Sequence, residues 1–224
     1  MRRAVAALVR KDLLLELRTR ESVPAMALFS LGTFVLFHFA LNQREVDGDL
    51  AAGVLWVTLL FAAVLGMTRL FATEREEGGF DGFLLAPVDR TAMFVGKATV
   101  LFAFLAALEL LLVPAFAILL LGPSPWGPLP GLIAVLALAD AGIAVVGTLV
   151  GGLAIHARAR EVLVPLLAIP LAVPLVIAGA RATSPLLAAG GAGPLEARWL
   201  LVLGLYDLVF GLLAYATFDF LLED

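Results

Sequence analysis

The chain has 224 residues, 62% of them hydrophobic and only 15% charged, with a net charge of −4 and a mean hydropathy of +1.05. A soluble domain carries roughly 25% charged residues, and here the charges are also clustered: residues 22–43, 50–68, 110–139 and 162–180 contain no Asp, Glu, Lys or Arg. Such runs approach or exceed the roughly 20 apolar residues that span a bilayer, so the composition predicts an all-α, polytopic membrane protein. The sequence has no long basic run with interleaved aromatics, which argues against a nucleic-acid partner, and no cysteine, which excludes disulfides and thiolate metal sites.

Residues 1–21 are basic, with Arg2, Arg3, Arg10, Lys11, Arg18 and Arg20. Ala6, Val9, Leu13 and Leu17 recur at helical spacing, which predicts an interfacial helix lying along the cytoplasmic membrane surface. Leu8, Leu14 and Leu15 fall outside that stripe, and a basic flank anchoring the first span is the alternative. This start does not read as a cleavable signal peptide, because the apolar run that follows is span-length.

Spans 1 and 2 are expected at 22–41 and 50–71, joined by a short polar loop with Asp47-Gly48 as its turn signal. The longest charged stretch between two spans comes next, at 72–95. Within it Phe80, Phe83, Leu84 and Val88 share one helical face. Glu76 and Glu77 precede that face, where the positive end of a helix dipole favours acids. Gly78-Gly79 frees the entry, and Pro87 disfavours helix continuing through Ala86. The pattern is a compact, half-apolar cytoplasmic helix on which a soluble partner can dock; a helix resting on lipid headgroups is the alternative.

Span 3 is expected at 96–121, ended by the Gly/Pro-rich stretch 122–130, where Trp126 suits an interfacial anchor. Span 4, at 131–155, carries Gly147 and Gly151, which allow another helix close approach. After the basic loop 156–161, span 5 at 162–180 contains Pro165, Pro170 and Pro174 and should be kinked or partly unwound. A Gly/Ala/Pro-rich outer excursion at 181–198 leads to span 6 at 199–222. With the N-terminus inside, Arg2, Arg3, Arg10, Lys11, Arg18, Arg20, Arg69, Arg75, Arg90, Lys97, Arg158 and Arg160 are internal, and only Arg44, Arg181 and Arg198 are external. The positive-inside rule therefore places both termini in the cytoplasm. All of this reads as one transmembrane permease domain over 1–224.

No phosphate-binding loop is present: Gly96-Lys97 is followed by Ala98 and lacks the preceding glycine. ATP, if used, binds to another chain. His38 and His156 lie near opposite membrane faces and make poor joint ligands for one metal or haem. Glu109, Asp140 and Asp207 fall well inside predicted spans, where carboxylates are costly and face a water-filled path or the bundle interior. They read either as part of a translocation path or as helix-packing groups. Nothing forms a nucleophile–base pair, so catalysis has no visible carrier.

Several landmarks together resemble the haem exporter protein B (CcmB) family: Lys11-Asp12-Leu13 with Leu17-Arg18, Arg69-Leu70-Phe71 running through Glu74 to Gly79, Phe83-Leu84-Leu85-Ala86-Pro87-Val88, Lys97, and the proline-spaced 164–175. The resemblance implies an ABC-transporter permease subunit of cytochrome c maturation in the bacterial inner membrane, likened to a homodimer paired with a cytoplasmic ATPase and with other haem-handling membrane proteins. It implies an ATPase-coupling role for Glu74, Glu76, Gly79, Phe80, Phe83, Leu84 and Pro87. It assigns this chain no bound cofactor; haem enters as a transported or handed-over ligand. A non-transporting scaffold of the haem-handling complex, or an export permease for another substrate, are the alternatives.

Overall fold

The computed structural model describes residues 1–41, 46–71, 90–121, 129–154, 157, 159–188 and 193–221, with side chains through Thr217. Among them are seven α-helices: α1 (Arg2–Thr19), α2 (Ser22–Ala40), α3 (Gly48–Arg69), α4 (Arg90–Phe116, extended by a π turn Ala117–Leu121), α5 (Leu129–Leu153), α6 (Arg160–Thr183) and α7 (Ala197–Leu221). The described parts of α2 to α7 are long and apolar enough to cross a membrane.

Charged side chains set the turns between helices. α1 stops where Arg20 turns left-handed (φ 55°) and its N–H bonds the Glu16 carbonyl. The Glu16 carboxylate then accepts the N–H groups of Ser22 and Val23 at 2.9 and 2.8 Å. It satisfies donors that the first turn of α2 cannot pair internally, at the end of the helix where negative charge is favoured. At the opposite end of α2, His38 donates through Nδ1 to the Leu119 carbonyl (2.6 Å), and the Val46 N–H reaches the Leu120 carbonyl (2.8 Å). Both acceptors lie in the π turn that closes α4, where helix carbonyls run out of internal donors.

The expected span limits hold to within a few residues, except that α4 begins at Arg90 rather than near 96, which places Lys97 two turns inside a helix. Of the two forms expected of span 5, kinked or partly unwound, α6 excludes the second. It stays helical through Pro165, Pro170 and Pro174 instead of unwinding. Pro174 removes the donor for the Pro170 carbonyl, and in that loosened turn the Tyr206 hydroxyl of α7 donates to the neighbouring Leu171 carbonyl at 2.7 Å.

The core is built on α3 and α5. Of their apolar windows 72% and 67% are buried, against 17% each for α2 and α7, so α2 and α7 form the periphery. Small residues let the centre close up, as packing between membrane helices requires. A Cβ at Gly147 would stand 2.7 Å from Met67 and Leu101, and one at Gly151 would stand 2.7 Å from the Phe71 ring. The expected close approach at these two glycines is therefore made by Met67 of α3 and Leu101 of α4 at Gly147, and by Phe71, just past the end of α3, at Gly151. Gly179 of α6 admits the Trp56 indole, whose Nε1–H donates to Thr183 Oγ1 at 2.9 Å.

α1 packs on α4, with Val9 and Leu13 of the expected stripe half-buried against the core. Ala6 and Leu17 are exposed, and the one buried residue of α1 is Asp12. Leu8, one turn before it, sits on Gly96. The inward face of α1 is thus the one that carries Leu8 and Asp12, because α4 supplies a cation there.

Candidate functional site

The expected coupling residues Glu74, Glu76, Gly79, Phe80, Phe83, Leu84 and Pro87 lie outside the described residues. The two ends from which their segment leaves and re-enters the bundle are described: the last turn of α3 and the first turns of α4.

A helix C-terminus exposes unpaired carbonyls and favours cations. The last turn of α3 meets both demands from two neighbouring helices. The Arg160 guanidinium, buried at the start of α6, donates to the Thr68 carbonyl. The Lys97 ammonium of α4 donates to the Leu70 carbonyl at 3.1 Å. It also lies 5.4 Å from the centre of the Phe71 ring and 2.9 Å from Asp12 Oδ2 on α1. Arg69 pairs with Glu21 at the α1–α2 elbow (3.5 Å), on the exposed side. Four successive residues, Thr68 to Phe71, are thereby gripped by the elbow, α4, α5 through Gly151, and α6, with α1 held to the same place through Asp12 and Lys97.

The three intramembrane acids converge on one level of α5. Glu109 of α4 and Asp140 of α5 are neighbours in the bundle interior. Asp207 of α7 packs against Gly142, one short step along α5, where a Cβ would stand 2.5 Å from its Oδ1. Among the described residues no ion pair reaches these acids. Glu109 Oε1, Asp140 Oδ2 and Asp207 Oδ1 are each buried without a hydrogen-bond partner. Buried polar atoms are normally satisfied by protein or by ordered water, so this level of the bundle is chemically polar in an otherwise apolar core.

The Asp12–Lys97 pair and the Arg160 contact are the features that the sequence reading missed. The one available signal was Lys97, a lysine set among uncharged residues in Val95-Gly96-Lys97-Ala98; Asp12, beside Lys11, reads as an ordinary neighbour pair.

The family model described as "CcmB protein" matches residues 3–221. The chain is 32% identical over 179 residues to "Heme exporter protein B" of Rhodobacter capsulatus, covering 78% of this chain and 80% of that protein. It is 30% identical over 192 residues to the protein of the same name from Paracoccus denitrificans (85% and 86% covered), and 28% identical over 216 residues to that of Bradyrhizobium diazoefficiens (96% of each). With a family match from residue 3 to residue 221 and relatives aligned over most of their length, the chain belongs to the CcmB family.

Proposed function

We propose that this chain is the permease subunit of an ABC transporter that exports or hands over haem for cytochrome c maturation, in the bacterial inner membrane, with ATP hydrolysed by a separate cytoplasmic subunit. The family membership carries the reading, and the grip on Thr68–Phe71 gives it a mechanism. A permease without its own nucleotide site must receive work through a segment that a partner can hold. Residues 72–89 follow directly on the turn that Arg160, Glu21, Lys97 and Gly151 tie down. In this reading Glu74, Glu76, Gly79, Phe80, Phe83, Leu84 and Pro87 form the ATPase-coupling element, with both termini cytoplasmic and α1 lying along the membrane surface. Glu109, Asp140 and Asp207 form a polar level that the moving bundle opens or closes. Haem is the ligand carried or released rather than a resident cofactor. The exposed faces of α2 and α7, which include Leu28, Leu36 and Phe39, and Leu201, Leu205 and Leu212, meet lipid, a second copy of the chain, or other haem-handling membrane proteins.

The test is Phe83→Asp. A charge on the apolar face of the segment should leave insertion intact, release the ATPase subunit on purification, and stop ATP-dependent cytochrome c maturation. A variant that keeps the ATPase at wild-type stoichiometry and stays active overturns the coupling assignment.

A further inference from the structure

Lys97 is 4% exposed and Asp12 is 8% exposed, so both charges of this pair have left water. The attraction between two such charges rarely outweighs their lost hydration, and a well-packed apolar pair of similar volume is often as stable or more so. Stability is therefore a poor reason for an ion pair at this place. Its geometry suggests a better one. Lys97 makes three contacts at once: Asp12 Oδ2 of α1 at 2.9 Å and, at the end of α3, the Leu70 carbonyl at 3.1 Å and the Phe71 ring at 5.4 Å. Leu70 and Phe71 are the last described residues before the 72–89 segment, and Arg90 is the first after it. Arg90 lies seven residues before Lys97, two turns along the same helix face and about 10 Å away. Leu8 seated on Gly96 brings α1 close enough for Asp12 to reach the ammonium. On the outer side Lys11 approaches Asp12 Oδ1 at 3.2 Å, but it is half exposed and screened by solvent.

We propose that Asp12 and Lys97 are a positioning pair, which locks α1 to both roots of the 72–89 segment so that α1, the end of α3 and the start of α4 move as one body when a partner holds that segment. The proposal rests on the coupling role of 72–89 and adds two residues outside that segment to the machinery. The pair does not bind the ATPase; it sets the direction in which the ATPase pulls.

The test compares Asp12→Asn, Lys97→Met and the double variant Asp12→Leu/Lys97→Leu, each as the full chain in its native membrane. Three quantities are measured: the amount of chain in the membrane, the ATPase subunit retained on purification, and the yield of c-type cytochrome. The double variant should accumulate and retain the ATPase, because it strands no buried charge and 72–89 is unaltered, whereas each single variant leaves one charge buried without its partner and should accumulate less. Cytochrome yield should fall by about tenfold, a coupling ordinary for contacting charged sites. Asp12→Glu, which keeps the carboxylate, should recover most of it. The apolar double variant is decisive. Wild-type cytochrome yield from it means that the pair only fills space, and failure to accumulate means that the pair only holds the fold; either result overturns the proposal. If the wild-type chain itself purifies without an ATPase, the failure belongs to the reading of 72–89.

Discussion

Gly151 lies under the Phe71 ring, at the point where the chain leaves α3, and adding one methyl group there tests the packing directly. A Cβ at Gly151 would stand 2.7 and 2.8 Å from Phe71 Cε2 and Cδ2, closer than carbon atoms approach. An aromatic ring cannot bend away, so it must tilt or the helices must part. Overpacking of this kind costs about 1–3 kcal/mol. Glycine to alanine inside a helix also gains about 0.8–1 kcal/mol of backbone propensity, which hides part of the loss. Gly53 of α3 supplies the control, because a Cβ there meets nothing within 4 Å. Gly53→Ala should show the propensity gain alone, and the gap between the two variants should equal the overpacking cost of about 1–3 kcal/mol.

Unfolding of the purified chain in micelles with increasing denaturing detergent, followed through tryptophan emission, measures the gap. Trp56 is buried beside Gly179 and will report loss of the α3–α6 contact. Gly151→Ala should unfold earlier than Gly53→Ala. It should also lower cytochrome yield, because the displaced ring is the one that Lys97 lies over. If Gly151→Ala is as stable as Gly53→Ala, the close contact of α3 with α5 is not as described, and the argument from Phe71 collapses with it.

Thr183→Val should destabilise by about 1–3 kcal/mol in the same assay, because it leaves the Trp56 Nε1–H buried without an acceptor; an unchanged midpoint refutes the assignment. Glu109→Leu and Asp140→Leu should each impair cytochrome maturation while the chain still inserts, and wild-type function in both leaves these acids a packing role only. Cysteines placed singly at Gly48, Gly127 and Gly191 of this cysteine-free chain should react with an impermeant reagent in intact cells, while one at Gly79 should not; labelling confined to Gly79 reverses the orientation.

Hydrophobic runs were enough to read six spans, because a helix in lipid must satisfy its backbone internally and so declares itself by length. Gly147 and Gly151 were legible as a close approach, although only the structure shows that Met67 and Phe71 fill it. The start of α4 was misplaced because Arg90, Thr91 and Lys97 read as loop polarity. Lys97 is helical and buried because its charge is met by Asp12, 85 positions earlier, and by the Leu70 carbonyl. The burial of Asp12 on α1 was missed for the same reason. An apolar stripe is a local property, whereas a buried carboxylate is explained only by its distant partner. Span 5 was legible as a proline-interrupted helix, and its partial unwinding is excluded; the donor that Tyr206 brings from α7 to the Leu171 carbonyl is one that a proline count cannot include.

The placement of charge separates the two kinds of helix in this bundle. Neighbouring helices in lipid gain nothing from hiding apolar surface, so they are held by small-residue packing and by polar contacts. α7 exposes Leu201, Leu205, Leu208 and Leu212 and turns Tyr206 and Asp207 toward α5 and α6, so its outer face is free to slide against lipid or another chain. α3 is the opposite case. It is the most buried span, and its final turn is fastened by Lys97, Arg160 and Phe71 to helices on three sides. A close-packed core transmits a displacement rather than absorbing it. In the coupling reading proposed above, a pull on 72–89 enters at Phe71, reaches α5 through Gly151 and runs along that one helix to Asp140.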